Sequence, residues 1–415
     1  MQSINKRRVV ITGMGIKSSI GNDITSYWNN LQNGIHGIRP IEFMDTTGLD
    51  IKVASYDYDF DPLEYFDKKE LRRTDRFCQL GLAAARDALN GEKLLEYYDP
   101  FRVGVVFSSG IGGMGTMEKE HTKCVEKGPN RVSVFFVPMM ISNMAAGMIS
   151  IESGFKGDNL DIVTACASSN HAIGEAFRKI RDGYLDACLA GGAESGISRL
   201  TVAGFSNMTA LTKSDDPDRA SIPFDKERNG FVIGEGAAAL VLEELESAKA
   251  RNAKIYGEIV GYGATGDAYH ITKPDPSAQG PARCFINAIQ DAGIKPEDID
   301  YINAHGTSTG PNDLTETNAT KIVFKDHSKK LIMSSTKSMT GHMLGAAGAA
   351  EAIATVLALK NGIVPPTVGY KVPDENCDLD YVVDGARKKD IKYAISNSLG
   401  FGGHNATVCF KKFEG

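Results

Sequence analysis

The chain of 415 residues contains no long hydrophobic run. No stretch approaches the ~18 consecutive apolar residues of a membrane-spanning helix, so no membrane partner is expected. Its cysteines carry no pairing signal. There are seven, Cys78, Cys124, Cys166, Cys188, Cys284, Cys377 and Cys409, an odd number with no Cys-x-x-Cys spacing. That argues against a disulfide framework or a zinc site and fits a reducing cytosol. Positive charge is not in excess. Lys and Arg number 46 against 52 Asp and Glu, a net charge of −6, so a broad nucleic-acid-binding surface is not expected. Proline is scarce, 15 residues against 44 glycines, which favours tight turns and close backbone packing over flexible linkers. No Gly-x-Ser-x-Gly elbow is evident, so a serine hydrolase is not expected either.

What is present alternates strand and helix. Lys6-Arg7-Arg8 is followed by Val9-Val10-Ile11-Thr12, but the apolar run soon reaches Gly13 and Gly15. It reads as a first strand over residues 8–13, ending in a Gly-rich turn, and not as a signal peptide. Further strands are predicted over residues 102–107, 186–193, 237–243, 255–261, 298–304, 331–334, 391–396 and 406–410. Helices are predicted over residues 24–33, 68–89 (as a pair), 279–292 and 345–360. Residues 138–151 are expected to form a single Met-rich core helix. Gly110, Gly112 and Gly115, and again Gly261, Gly263 and Gly266, match a dinucleotide fingerprint after a strand. Neither set leads into an amphipathic helix with an acidic residue at the far strand end, so nucleotide binding is not expected. Lys69, Arg72, Arg73 and Arg76 crowd a helix start, where basic charge opposes the macrodipole. By themselves they read as a solvated face.

The stretch over residues 161–180 organises the rest. Residues 161–165 resemble a short buried strand, and Ile173, Ala176, Phe177 and Ile180 fall on one helix face. Cys166 sits at the joint, where free N–H groups and a helix dipole would favour the thiolate, the nucleophilic form. A small buried hydrophobe at a tight turn is the equal alternative on this stretch alone. After Lys254 the pattern restarts. Strand then Ser109-Gly110 parallels strand then His305-Gly306. Strand, Cys166, helix parallels strand, residues 337–342, helix. Strand then Gly191-Gly192 parallels strand then Gly402-Gly403. Two duplicated α/β halves, 1–254 and 255–415, packed as one compact unit, would bring loops at matching strand ends to one centre.

Three histidines, His305, His342 and His404, lie in such turns. A cysteine with histidines opposite suits acyl transfer through a thioester. The helix over residues 346–359 is almost all small and apolar, hence buried, yet it carries Glu351. A buried carboxylate is costly unless paired, and Lys337 in the same centre needs an anion.

Residues 164–169 (Thr-Ala-Cys-Ala-Ser-Ser), 305–309 (His-Gly-Thr-Ser-Thr) and 335–342 (Ser-Thr-Lys-Ser-Met-Thr-Gly-His) together resemble the elongating beta-ketoacyl-(acyl carrier protein) synthases. Pro223-Phe224-Asp225, Arg228-Asn229-Gly230-Phe231-Val232 and residues 397–405 extend the likeness from about Arg8 to Phe410, with the synthase II subgroup the most similar. The resemblance implies the thiolase fold, an α/β fold of duplicated halves in a five-layer αβαβα arrangement. It implies decarboxylating condensation of a malonyl thioester with an acyl chain held on Cys166. His305 and His342 would steady the enolate, with Lys337 and Glu351 holding the network. The N–H groups of Cys166 and Phe401 would form the oxyanion hole. Ile111, Phe136, Phe205, Thr307, Thr309 and Phe401 would bind substrate, Phe136 across a homodimer interface. Lys69, Arg72, Arg73 and Arg131 would dock the acidic acyl carrier protein. No cofactor is implied. Asn303, Ala304, Glu351, Ser396 and Asn397 resemble a monovalent-cation site of some members, but no metal is expected here. A cytoplasmic enzyme of fatty acid elongation is expected. The alternatives are a polyketide or aryl-polyene ketosynthase and, in another class, a non-catalytic partner subunit. Gly310-Pro311, Asn130 and Thr209 depart from the family pattern outside the catalytic set.

Overall fold

The computed structural model describes residues 6–414. The ten strands of its main sheet are β1 (Val9–Ser18), β2 (Val103–Ser108), β3 (Asn159–Leu160), β4 (Ala187–Glu194), β5 (Gly236–Glu244), β6 (Gly257–Gly266), β7 (Tyr301–Asn303), β8 (Ile332–Ser334), β9 (Tyr393–Gly400) and β10 (His404–Lys411). The longer helices are α1 (Ile24–Gln32), α2 (Arg76–Leu89), α3 (Met114–Lys127), α4 (Met144–Ser153), α5 (Ser168–Arg181), α6 (Arg199–Asn207), α7 (Gln279–Asp291), α8 (Gly310–Phe324) and α9 (Ala347–Asn361).

Neighbouring strands run β8-β7-β9-β10-β6-β1-β5-β4-β2-β3. Within each set of five, from the outer edge inward, the order is third, second, fourth, fifth, first. The second and third strands are parallel and so are the second and fourth, while the fifth is antiparallel to both neighbours. The two sets join where Val9, Val10 and Ile11 of β1 pair antiparallel with Ile259, Glu258 and Gly257 of β6. Helices α5 and α9 pack against each other between the two sets. Helices α2 and α4 cover the outer face of the first set, and α7 with α8 the outer face of the second. These are the five expected layers.

Burial explains the composition. Strand β5 is covered on both faces and reads as a nearly unbroken apolar run. In α9 every residue from Ala347 to Leu359 is buried, so it has no polar face.

Several sequence expectations need correction. Strand β1 does not turn at Gly15; it continues to Ser18. Strand β6 likewise runs through Gly261, Gly263 and Gly266, the second supposed fingerprint. The glycines are there because a helix lies on the backbone. A Cβ at Gly13 or Gly15 would stand 2.1 Å from Ala88 O or 2.0 Å from Ala84 O of α2. A Cβ at Gly261 or Gly263 would stand 2.2 Å from Ala288 O or 2.1 Å from Cys284 O of α7. The same two-residue spacing meets the same one-turn spacing in both halves, where glycine permits close backbone approach.

Residues 161–164 are loop, not strand; β3 is a two-residue exposed edge. The expected helix over residues 138–151 breaks at Ile141, which is extended, because Met140 O accepts the Gly113 N–H (3.0 Å). Nor is it all core, since Pro138 and Ile151 are exposed. Gly191 and Gly192 lie inside β4, whereas Gly402 and Gly403 lie in the β9–β10 hairpin, so that parallel holds only between the strands.

The packing gives a contrast of two substitutions. Gly15→Ala lowers the unfolding free energy by roughly 1–3 kcal/mol, because a methyl meets a backbone carbonyl. Gly204→Ala, in α6 with nothing within 4 Å of its Cβ, raises it by up to about 1 kcal/mol. Thermal melting midpoints that move in opposite directions confirm the assignment.

Candidate active site

Cys166 reaches the centre on a short 3-10 turn, Ala165–Ala167, that leads into α5. Ala165 holds φ at +52°, a left-handed conformation that costs a non-glycine residue of order 1 kcal/mol. Three consecutive polar residues hold the turn. The Ser168 hydroxyl accepts the Thr164 N–H (2.9 Å) and donates to Ala165 O (2.6 Å). The Ser169 hydroxyl accepts the Ala349 N–H of α9 (2.9 Å). The Asn170 amide donates to Ser396 O (3.2 Å) and Ser398 Oγ (3.0 Å) of β9. Thus the nucleophile candidate is fixed to its own turn, to the other central helix and to the second half's sheet. The end of β9 also abuts it: a Cβ at Gly400 would stand 2.5 Å from Thr164 O and 3.3 Å from the Cys166 nitrogen.

A cavity of about 640 Å³ opens here, and Cys166, His305, His342 and Phe401 all line it. Ile111, Phe205, Thr307 and Thr309 line it too. His305 leaves the end of β7, and its N–H and that of Gly306 donate to the Glu316 carboxylate of α8, both at 2.8 Å. The His342 N–H donates to Val232 O (2.7 Å) and its carbonyl accepts the Gly234 N–H (2.9 Å). The two imidazoles meet edge to face, centroids 5.3 Å apart at 84°. Behind them Lys337 Nζ lies 3.3 Å from His305 Nδ1 and forms an ion pair with Glu351. Both partners of that pair are almost wholly buried.

Burial dominates the electrostatics. It holds both imidazoles well below the usual histidine range, with the Lys337 charge adding to the effect. Both rings are therefore neutral near pH 7. Burial pushes Glu351 up to about 7 despite Lys337, and Glu316 to about 7. It also pushes the Cys166 thiol up to about 12; Lys337 pulls the other way and loses. This corrects the expectation from the helix end. A dipole worth about 1 kcal/mol does not offset the desolvation of a buried thiolate.

Other residues fall apart from this group. Phe136 stands in the short helix Phe136–Met140, half-exposed and outside the lining of the cavity. Lys69, Arg72, Arg73 and Arg131 are exposed. The Arg73 guanidinium lies 4.9 Å from the Phe135 ring centroid, which ties the first basic segment to the one containing Arg131. Arg76 is different: Glu235 binds it at 2.7 Å, and it stacks over Tyr56. The crowded basic helix start is relieved by acid. Asp67 and Glu70 form a capping box on Lys68–Leu71, and Asp75 caps α2. His404 opens β10 outside the cavity lining.

Three buried carboxylates escaped the sequence reading. Glu316 is one. Asp313 accepts the N–H groups of Thr307 (3.0 Å) and Phe224 (2.8 Å), beside Arg228. Glu194 accepts Ser109 Oγ (2.8 Å) and the N–H groups of Gly110 (2.8 Å), Ile111 (3.3 Å) and Gly345 (3.0 Å). Its one signal was an acid closing an otherwise apolar strand. Near Lys337, the buried oxygens Asn303 Oδ1, Glu351 Oε2 and Ser396 Oγ find no hydrogen-bond partner in the protein. Asn303 and Ser396 are paired residues of β7 and β9, and the Asn303 amide donates to Glu351 O (3.3 Å). Three such oxygens suit the hard monovalent cation of the family likeness.

Residues 6–248 match the sequence model of the beta-ketoacyl synthase N-terminal domain, and residues 256–371 that of the C-terminal domain. The chain belongs to the beta-ketoacyl synthase family. This synthase is 48% identical to 3-oxoacyl-(acyl-carrier-protein) synthase 2 of Synechocystis sp. over 416 residues, covering 100% of both chains. It is 51% identical to the synthase 2 of Staphylococcus aureus, covering 98% of this chain and 99% of the relative. Among solved structures, it resembles a type II polyketide ketosynthase in complex with its acyl-carrier protein (TM-score 0.91, 33% identity, 99% and 100% covered). A beta-ketoacyl synthase from Burkholderia phymatum is similar as well (TM-score 0.90, 34% identity, 98% and 100% covered). The fold is the thiolase fold that the motifs implied.

The state of the thiol is measurable in the synthase. Only the thiolate is alkylated, so with its pKa at about 12 labelling of Cys166 by iodoacetamide climbs about tenfold per pH unit from about pH 7 to 9. A plateau below about pH 8 would show an already ionised cysteine.

Proposed function

We propose that this synthase catalyses decarboxylating condensation in type II fatty acid elongation. A malonyl-acyl carrier protein extends an acyl chain held on Cys166 and gives a 3-oxoacyl-acyl carrier protein. One observation carries the proposal: a single cavity is lined by Cys166, His305, His342 and Phe401, with the Lys337–Glu351 ion pair behind His305. Relatives named synthase 2, at 48% and 51% identity, favour fatty acid elongation over the polyketide pathway of a structural neighbour at 33%.

The chemistry follows from the charge states. The resting thiol is neutral, so its proton passes to a neutral imidazole as sulfur attacks the acyl thioester. The N–H groups of Cys166 and Phe401 hold the oxyanion, and the carrier thiol leaves. Malonyl thioester then loses carbon dioxide. Each neutral imidazole donates one N–H to the enolate oxygen. Lys337 donates to His305 Nδ1, which places the ring proton on Nε2, available to substrate. The enolate carbon attacks the Cys166 thioester, and the cysteine leaves as a thiolate that takes up one proton from solvent to restore the resting thiol.

Substrate positions follow the cavity wall. Ile111, Phe205 and Phe401 bound the acyl chain, Phe401 as its gate. Thr307 and Thr309, whose hydroxyls lie 2.9 Å apart, hold the pantetheine arm. Lys69, Arg72, Arg73 and Arg131 dock the acidic carrier protein. The protein acts as a cytoplasmic homodimer. Two observations support that: its cysteines are unpaired, and apolar Val134 (88% exposed), Val137 and Ile151 (81% exposed) flank Phe136 or lie near the edge strand β3. A second copy would cover them and carry Phe136 to the cavity. Among the described residues, no helix is long and apolar enough to cross a membrane. The nucleophile half, 1–254, and the half with both histidines, 255–415, form one compact unit; residues 1–5 and 415 lie outside the described residues.

Purified protein is given acyl- and malonyl-carrier substrates. Absence of both condensation and Cys166 labelling would overturn the enzyme reading and leave the non-catalytic partner. Cys166→Gln decarboxylates malonyl thioester without condensing, as followed by carbon dioxide release and product mass; retained condensation would acquit Cys166. Reversing Arg72 and Arg73 to Glu raises KM for acyl-carrier substrates about tenfold or more and leaves KM for acyl-coenzyme A within about twofold. An equal change on both substrates would place docking elsewhere.

A further inference from the structure

The two histidines differ in what orients their rings. Lys337 Nζ stands 3.3 Å from His305 Nδ1. His342 Nδ1 is buried and finds no hydrogen-bond partner in the protein. With no side chain to set it, the His342 ring takes its place from the backbone that carries it and from what packs on it. Both come from one short segment, residues 231–235, which runs into β5. The His342 N–H donates to Val232 O (2.7 Å), and the Gly234 N–H donates to His342 O (2.9 Å). The Phe231 ring meets the imidazole edge to face, centroids 5.1 Å apart. The fit leaves no slack: a Cβ at Gly234 would stand 2.9 Å from Thr340 O and 3.4 Å from the His342 carbonyl carbon.

Glu235 ends that segment and is wholly buried. Its carboxylate accepts Arg76 Nη2 (2.7 Å) and Nε (3.0 Å), the Asp57 N–H (3.2 Å) and the Ser195 hydroxyl (2.7 Å). Its own N–H donates to Ser55 O (3.1 Å), and the Ser55 N–H donates to Ile233 O (2.9 Å). Arg76 also donates to Asp57 O (2.7 Å). The start of α2, the residues around Ser55 and the end of β4 thus converge on one carboxylate. Charge-assisted, two-pronged contacts of this kind fix direction as well as distance.

We infer that Glu235, held by Arg76, is the positioning residue that fixes His342 for the decarboxylation step. This rests on the condensing-enzyme reading above and extends it to a pair outside the cavity, since neither Glu235 nor Arg76 lines it. With the carboxylate anchored, residues 231–235 cannot slide, and Val232 and Gly234 keep His342 in register. When the anchor is lost, the imidazole N–H moves off the enolate oxygen. Malonyl thioester still binds, because its binding wall is unchanged. Cys166 is also unaffected, since its turn is held by Ser168, Ser169 and Asn170.

The experiment places Glu235→Gln, Arg76→Met and both together in the Cys166→Gln protein and follows decarboxylation of malonyl-coenzyme A, which bypasses carrier docking. In each single variant kcat falls about tenfold or more, the scale of a small misplacement of a catalytic group, while KM stays within about twofold. In parallel, the same substitutions in the protein that keeps Cys166 leave its alkylation by iodoacetamide within about twofold. The double variant strands no buried charge, so its melting midpoint exceeds that of the less stable single variant, yet its decarboxylation stays low. It also decides the matter where a single variant fails to fold. Decarboxylation within about twofold in the folded variants overturns the inference. So does recovery of decarboxylation in the double variant, an equal fall in decarboxylation and alkylation, or misfolding of all three, each of which marks the pair as structural. Absence of decarboxylation with Glu235 and Arg76 intact overturns the function instead, so the two failures are distinct.

Discussion

The cavity depends on backbone meeting backbone across the two halves. A Cβ at Gly345, at the entrance to α9, would stand 2.3 Å from the Gly110 nitrogen, and one at Gly348 would stand 2.9 Å from the Asn170 nitrogen. No side chain separates the first-half turns from the second-half helix at these places. Ser169 and Asn170 then fasten the seam with hydrogen bonds to Ala349, Ser396 and Ser398. With the halves this close, Cys166 from one and two histidines from the other share a single cavity. A seam one methyl wider would loosen the three groups from one another, and catalytic geometry is sensitive to errors of about 1 Å.

That closeness also buries the reactive groups, and the charges follow. Burial leaves the thiol and both imidazoles neutral. One cation, Lys337, remains in the group, paired with the Glu351 carboxylate, which burial pushes up to about 7. The site at rest thus holds little net charge, while the proposed condensation creates an anion at sulfur and then at oxygen. In a low-dielectric setting the N–H donors of the proposed oxyanion hole and Lys337 would act on that anion with little screening. Removing either partner of a buried pair strands the other, typically at a cost of 3–5 kcal/mol, so Glu351 matters even though it does not line the cavity.

How much was legible varied with the range of the cause. The Cys166 turn, the two histidine turns and the buried helix α9 could be read because each is a local pattern. The repeat of the two halves was visible only faintly in sequence, yet the strand order repeats without a change. Glu194, Asp313 and Glu316 were missed because their partners include backbone N–H groups of loops outside their own helix or strand, which leave no spacing to recognise. The glycines at 13, 15, 261 and 263 misled for a related reason. They signal turns when read locally, but here they admit a helix lying on a strand. The charge on Cys166 was misjudged likewise, since the helix end is local and burial is a property of the whole fold.

Helix α9 has a last consequence. Its buried face runs all the way round, and Ser169, Tyr27 and the first-half sheet supply part of the cover. A fragment severed near residue 254 would turn that apolar cylinder toward solvent, a surface that self-associates. The continuous sheet and the shared layer of central helices tie the two repeated halves to each other.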